Sequence, residues 1–291
     1  MTALDARPAT AALSERGGRP PLTPAKAVSS KRGGRPPRTP AKAGLALHYT
    51  LYSTLLTAKQ FSFGIFSIAL PVILYVIFTQ TYGDAGGPDG INWPAMIMVS
   101  MAAYGSLGAA MSGGAQLALE RRSGWFRQLN ITALPAQTFL LAKSAVIMAV
   151  VLPALILVFV AGFVVGGVRA PATAWLACLA LMWLALLPMT ILGVAIGLWA
   201  GADAVPGVTT LVLLMLSALG GLWFPVQIMP DVMQTIAKTL PSYWLAELGR
   251  WPFLPGTGFP WAGIAVLLGW SIGLTVLGAL GYRRATANST R

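Results

Sequence analysis

Long apolar stretches without a charged residue dominate the pattern of this chain and predict its helices. An Asp, Glu, Lys or Arg at the centre of a bilayer costs about 2.5 to 3.5 kcal/mol, so each such stretch is a candidate membrane span. The six longest cover residues 60–83, 90–119, 144–168, 170–202, 204–230 and 251–282. Each exceeds the roughly 20 helical residues that cross a hydrocarbon core. Alternating segments of a transmembrane barrel do not occur, so we predict an all-α integral membrane fold with six transmembrane helices.

The distribution of Lys and Arg between these stretches predicts the orientation. With the N-terminus in the cytoplasm, 17 of the 20 basic residues fall on the inner side, and Arg169, Lys238 and Arg250 lie outside. Cytoplasmic loops carry such an excess of basic residues. We therefore predict cytoplasmic N- and C-termini in a multi-pass protein of the cytoplasmic membrane. No cleavable signal peptide is visible, so the first span is expected to be its own insertion signal.

The first 44 residues differ in character from the rest of the chain. ERGGRPPLTPAKA at 15–27 recurs with changes as KRGGRPPRTPAKA at 31–43, with a period of 16 residues and no apolar face. We predict a disordered basic tail at 1–44 that suits anionic lipid headgroups. Its Gly-Arg-Pro cores resemble a minor-groove AT-hook, but an extra glycine in each disfavours nucleic-acid binding. A six-helix transmembrane domain at 45–284, opening on an interfacial helix at 45–56, and a cytoplasmic C-terminal tail at 285–291 complete the predicted organisation.

Composition narrows the function. Hydrophobic residues make up 56% of the chain and charged residues 10%, against about 25% charged in soluble domains. One cysteine and one histidine form neither an intrachain disulfide nor a histidine metal cluster. No phosphate-binding Gly-x-x-x-x-Gly-Lys-Ser/Thr loop and no paired catalytic side chains occur. We therefore predict no catalytic, cofactor-binding or metal-binding residues and no enzymatic activity.

An ion-coupled carrier usually keeps ionisable side chains within the bilayer, where it binds and releases the coupling ion. The six stretches contain no Asp, Glu, Lys or Arg, which disfavours this class. Lys143 and Asp203 lie near the ends of spans. We expect both side chains to snorkel towards the surface.

Two segments outside the spans carry more information. The first joins spans two and three on the cytoplasmic side and reads ERRSGWFRQL at 120–129; apolar residues beside charges are typical of an amphipathic element at the membrane surface. The second, residues 225–260, lies outside between spans five and six. Polar and apolar positions follow helical spacing over 231–240, so we predict a short external amphipathic helix between Pro230 and Pro241.

Both segments resemble those of permease subunits of ABC-2 type (type-2 ABC) exporters. In that family the loop between spans two and three typically reads Glu-Arg-x-x-Gly-x-x-x-x-Leu followed by Thr-Pro. Here Ala133 stands in place of that proline, and Pro135 supplies the turn two residues later. The second match consists of GGLWFP at 220–225, Met229-Pro230 and LPSYWL at 240–245. The resemblance covers residues 45–284 and leaves out the basic tail.

The resemblance implies a transport subunit that works with partners. A separate ABC ATPase subunit would bind ATP and Mg²⁺, so this chain would bind no cofactor, and a second permease copy would complete a homodimer among membrane lipids. The expected ATPase-coupling loop consists of Glu120, Arg121, Arg122, Gly124, Trp125, Phe126 and Leu129. The external helix motif consists of Gly221, Phe224, Pro225, Pro230 and Pro241.

Two alternative hypotheses remain open. One is a noncatalytic membrane scaffold whose basic tail recruits an acidic partner or nucleic acid. The other is an ion-coupled carrier, because carriers also coordinate sodium through backbone carbonyls. For the exporter, an amphipathic small molecule or lipid would suit a cavity lined by apolar side chains, although lipid-facing helices use the same residues.

Overall fold

The computed structural model describes residues 61–82, 92–122, 136–254 and 256–289, and within these ranges the chain is helical and contains no strand. The helices are α1 (Phe61–Tyr82), α2 (Trp93–Arg122), α3 (Ala136–Val164), α4 (Ala172–Ala185), α5 (Leu187–Trp199), α6 (Val205–Leu219), α7 (Asp231–Thr239), α8 (Pro241–Arg250) and α9 (Trp261–Ser289). Short 3-10 turns, Val226–Ile228 and Trp251–Phe253, precede α7 and follow α8. The predicted tail at 1–44 and the predicted interfacial helix at 45–56 lie outside the described residues.

The apolar stretches coincide with helices, as expected for a membrane protein. Four helical segments are long and apolar enough to cross a bilayer: Trp93–Glu120, Leu141–Val164, Ala172–Trp199 and Trp261–Arg284. The other two stretches contain shorter apolar helices, Ala69–Thr81 within α1 and Val205–Leu219. The all-helical membrane class is therefore confirmed, and the count of six spans with both termini inside stays a prediction.

Prolines lie inside several of these helices or next to a break, whereas α2 is continuous. Pro71 and Pro153 lie inside α1 and α3, and the fourth span is divided into α4 and α5 around Leu186, two residues before Pro188. Proline has no N–H with which to continue the helical hydrogen bonds, so it kinks or breaks a helix. In α2 the proline is the second residue, Pro94, where a missing N–H costs nothing.

Small residues bring α2 and α5 into close contact at the centre of the bundle. A Cβ atom at Gly114 would overlap the carbonyl group of Gly193, and one at Gly197 would overlap the carbonyl oxygen of Gly114. Helices in membranes associate through such small residues. The most apolar part of α2 is 72% buried, whereas the corresponding part of α9 is 22% buried. α2 therefore lies at the core and α9 at the periphery.

Tryptophan side chains connect the peripheral helices to their neighbours. Trp199, the last residue of α5, donates from Nε1 to the carbonyl of Leu277 on α9 at 3.0 Å. Two turns earlier on α9, Trp270 donates to the carbonyl of Thr239 at the end of α7 at 2.9 Å. Trp93 and Trp261 begin α2 and α9, as expected for residues near span ends.

Candidate functional site

An ion pair joins the last turn of α2 to α3. Lys143 Nζ donates to Glu120 Oε1 at 2.5 Å, with the lysine side chain 6% exposed and the glutamate 32%. Glu120 lies two residues before the end of α2, and Lys143 lies two turns inside α3. We call these two residues the stem pair, because the segment between α2 and α3 emerges from this point.

The position of Lys143 corrects the expectation that its side chain snorkels. α3 begins at Ala136, seven residues earlier, so Lys143 lies within the helix rather than at its start. Its side chain borders a small cleft of about 20 Å³ between α2 and α3, together with Ser112 and Gln116. A cleft of this size has room for one water molecule. Lys143 is therefore buried beside a largely apolar cleft, and the carboxylate of Glu120 pairs with its ammonium group there.

The predicted coupling loop lies partly outside the described residues. Glu120 is part of the stem pair, and Arg121 and Arg122 are the last two residues of α2. The remaining predicted residues, Gly124, Trp125, Phe126 and Leu129, lie outside the part of the chain that the structure describes. The loop thus begins at the end of the most buried spanning helix.

The external helix motif builds two sharp turns and the starts of two helices. Gly221 has a φ of 72°, a left-handed conformation that glycine adopts without strain, and it ends the turn after α6. Phe224 is 59% exposed, and Pro225 precedes the 3-10 turn that leads towards α7. Pro230 precedes the first residue of α7, and Pro241 is the buried first residue of α8. The prolines therefore set where each short helix begins.

The helix predicted between Pro230 and Pro241 is confirmed as α7, its external placement stays a prediction, and α8 packs deeply into the bundle. In α7, Val232 and Ile236 are exposed while Ala237 is fully buried. In α8, Ser242 Oγ donates to the carbonyl of Leu216 at the end of α6 at 2.7 Å. A Cβ atom at Gly249 would lie within 2.8 Å of Val99 on α2 and Met182 on α4. α8 is therefore built into the helical bundle beneath α7.

A second charged cluster, which the sequence analysis did not single out, lies at the end of α8. Arg250 donates from Nη1 to Glu247 Oε1 at 2.9 Å and from Nη2 to Ser100 Oγ at 2.7 Å, and Nη2 lies 3.5 Å from the carbonyl oxygen of Gly221. We call these four residues the polar junction. Glu247 and Arg250 are three residues apart and therefore lie on one helix face, which is the sequence signal from which their pairing could have been predicted. No local pattern pointed to Ser100.

The junction also affects Tyr243, one turn before Glu247. Burial raises the pKa of the Tyr243 phenol, the Glu247 carboxylate raises it further, and the Arg250 guanidinium lowers it. The phenol therefore stays neutral at physiological pH. Arg250 and Glu247 provide the charged groups of this end of α8, and their arrangement is suited to holding segments together rather than to acid–base chemistry.

Known proteins resemble this chain over most of its helices. A family model described as ABC-2 type transporter matches residues 49–254, a range that contains the stem pair and the polar junction. The protein named "Putative transport permease YvfS" from Bacillus subtilis (strain 168) is 27% identical over 207 residues, which cover 71% of this chain and 84% of that protein.

Proposed function

The chain belongs to the ABC-2 type transporter family, and we propose that it is the transmembrane permease subunit of an ATP-driven exporter. In this proposal two copies form a homodimer in the cytoplasmic membrane, and a separate ABC ATPase subunit binds and hydrolyses ATP with Mg²⁺. The permease itself binds no nucleotide or metal. Its cargo is an amphipathic small molecule or lipid, which suits an apolar set of spans.

The stem pair is the observation that carries the coupling part of the proposal. The segment from 123 to 135 connects α2 to α3. The contact between Glu120 and Lys143 joins the two helices close to the start of that segment and two turns beyond its end. A force applied to the segment therefore moves α2 and α3 together. Such an attachment would transmit the movement of a separate ATPase to both helices.

The composition of the proposed coupling loop suits a docking surface. Arg121, Arg122 and Arg127 supply charges that orient a partner, and Trp125 and Phe126 supply aromatic anchors. Interfaces are typically dominated by a few aromatic and arginine residues, while charge complementarity fixes their register. We infer that the ATPase contacts this loop.

Apolar helix faces support a second permease copy. Leu70, Ile73 and Ile77 are exposed on one face of α1, at the three- and four-residue spacing of a helix stripe. α6 exposes a similar stripe of Leu211, Leu214 and Met215. In a membrane these faces contact either lipid or protein, and we propose that the first and fifth spans form the dimer contact.

The test is purification of the tagged chain from its own membrane in mild detergent, followed by mass spectrometry of the proteins that accompany it. We expect a stoichiometric ABC ATPase. Gly124→Trp should lower its recovery at least about fivefold, because a bulky side chain at the centre of a docking loop disrupts an interface hot spot. The Glu120→Ala variant should also lower recovery of the ATPase, because it removes the ion pair that joins α2 to α3.

Gly201→Trp is the matched control. Gly201 lies in the turn between α5 and α6, has no atom within 4 Å of a Cβ position, and is predicted on the same side of the membrane. The amount of ATPase recovered with this variant should equal the amount recovered with the unaltered chain. If no ATPase accompanies the unaltered chain in several detergents, the exporter proposal is wrong, and partners of the first 44 residues would favour the scaffold.

A further inference from the structure

Arg250 is a basic residue held among apolar helices. Its side chain is 14% exposed, and its Nε is buried without a hydrogen-bond partner in the part of the chain that the structure describes. A buried charge that is only partly satisfied costs free energy, and apolar side chains of similar size often give an equally stable or more stable contact. Stability alone therefore does not account for an arginine at this position.

The contacts of Arg250 join two helices that are far apart in the sequence. Ser100, on α2, donates its hydroxyl proton to the carbonyl of Met96 at 3.0 Å, which leaves its oxygen free to accept from Arg250. Glu247, on α8 itself, accepts a hydrogen bond from the other terminal nitrogen of Arg250. If α8 and α2 separate, the guanidinium loses Ser100 but keeps its carboxylate partner. The contact with α2 is therefore the part of the junction that breaks at the lower cost.

The contact between α8 and α2 next to Arg250 has no side chain from α8 at position 249. Gly249 has no side chain, and it lies directly against Val99 on α2. A larger residue at 249 would clash with Val99 on α2 and Met182 on α4, whereas glycine leaves no side chain to block a shift of α2 along its axis. Such a shift changes the distance from Ser100 to Arg250 without a steric barrier from this residue.

α2 links the polar junction to the stem pair. Ser100 and Glu120 are 20 residues apart on this continuous helix, which corresponds to about 30 Å at 1.5 Å per residue. Helices interrupted by proline absorb displacement at the kink, as α3 and the divided α4–α5 span would. α2 has no proline between Ser100 and Glu120 and stays one unbroken helix across its Gly105-Ser106 and Ser112-Gly113 pairs, so we expect a displacement at the stem to reach Ser100.

We propose that Arg250 is a positioning residue of the transport cycle. It latches the segment 231–250, which contains α7 and α8 and is called the hairpin below, to α2 through Ser100 and releases it when α2 moves. This inference rests on the proposed function, because the docked ATPase supplies the movement of α2. The latch makes the hairpin respond to events at the opposite end of α2. Glu247 keeps the guanidinium paired in the released state, so the contact is reversible.

The test follows the exposure of the hairpin in the intact complex. Val232 on α7 is 72% exposed, and Val232→Cys in a Cys178→Ala background gives a single thiol there. The tagged complex is placed in lipid nanodiscs, the bound ATPase is quantified, and the rate of maleimide labelling is measured with and without ATP plus orthovanadate. Ser100→Ala removes the acceptor on α2, and Arg250→Lys keeps the charge but loses the forked pair of donors.

Ser242→Ala is the matched control, because it also deletes one buried hydroxyl hydrogen bond of α8, but to α6 instead of α2. We expect trapping with vanadate to change the labelling rate at least about fivefold in the reporter chain and in Ser242→Ala, which corresponds to a coupling free energy of ordinary size. In Ser100→Ala and Arg250→Lys the change should be less than about twofold.

The bound ATPase separates the two ways in which the experiment can fail. If Ser100→Ala retains the full response, or Ser242→Ala loses it equally, the latch is wrong while the exporter stands. An absent response in the reporter chain with its ATPase bound also overturns the latch. If no ATPase is bound to the reporter chain, the proposed function fails, and the latch fails with it because the displacement has no source.

Discussion

At the scale of single residues, the buried charges at the two ends of α2 are the most informative feature of this apolar chain. Lys143 is 6% exposed and paired with Glu120, while Arg250 is 14% exposed and paired with Glu247. In both cases a carboxylate compensates for a basic side chain removed from water. Removing one member leaves the other as an uncompensated buried charge, which is far more costly than losing the pair.

We predict that the stem pair tolerates exchange of its two charges but not the loss of complementarity. Glu120→Lys and Lys143→Glu, each made alone, should lower the free energy of unfolding by about 3 kcal/mol, because each places like charges together in a buried site. The double variant should recover most of this loss. Thermal unfolding of the purified protein in detergent measures all three.

Lys238→Glu is the control for the change of net charge, because Lys238 is an exposed residue of α7. It should leave the melting temperature nearly unchanged, as expected for surface substitutions. A double variant that is no more stable than the worse single variant would show that Glu120 and Lys143 are not energetically coupled.

At the scale of helices, the α2–α5 contact depends on the absence of side chains. Gly114 and Gly193 approach so closely that a single methyl group at 114 would overlap the backbone of α5. Backbone cannot move aside as a flexible side chain does, so the helices themselves would have to separate. This contact joins the central helix to the half-span that follows the break at Leu186.

Gly114→Ala is therefore expected to destabilise the protein by about 1 to 3 kcal/mol through overpacking. Gly269→Ala makes the same chemical change on α9, where no atom lies within 4 Å of the added Cβ; it should be neutral or slightly stabilising, since alanine is the better helix former. Unfolding in detergent compares the two. Equal effects at both positions would contradict the close packing of α2 on α5.

The elements differ in how far the sequence determined them. Uncharged stretches located the spanning helices, and the polar and apolar stripes of 231–240 located α7, because both signals are local. Glu120 is 23 positions from Lys143, and Ser100 is 150 positions from Arg250; no local pattern encodes contacts of that range. The burial of α8 was equally hidden, since it follows from Gly249 meeting α2 and α4.

At the scale of the whole molecule, α6 decides the topology. It has 15 residues, about 22 Å at 1.5 Å per residue, which is less than a hydrocarbon core of about 30 Å. The apolar stretch continues through the turn at Gly221 to Pro230. If α6 and this turn together cross the membrane, the α7–α8 hairpin lies outside; if they do not, the hairpin lies on the side of the coupling loop.

Single cysteines in a Cys178→Ala background distinguish these arrangements. The excess of basic residues predicts that Arg127→Cys faces the cytoplasm and Val232→Cys the outside. A membrane-impermeant maleimide should therefore label Val232→Cys in intact cells, and Arg127→Cys only after permeabilisation. Labelling of both from the same side would mean that an even number of spans, and not the predicted three, separates residues 127 and 232. α6, the shortest candidate span between them, would then be the segment that fails to cross. The contact of Arg250 with Ser100, about 30 Å along α2 from Glu120, could not form on the side of the coupling loop, so this result would also contradict the latch.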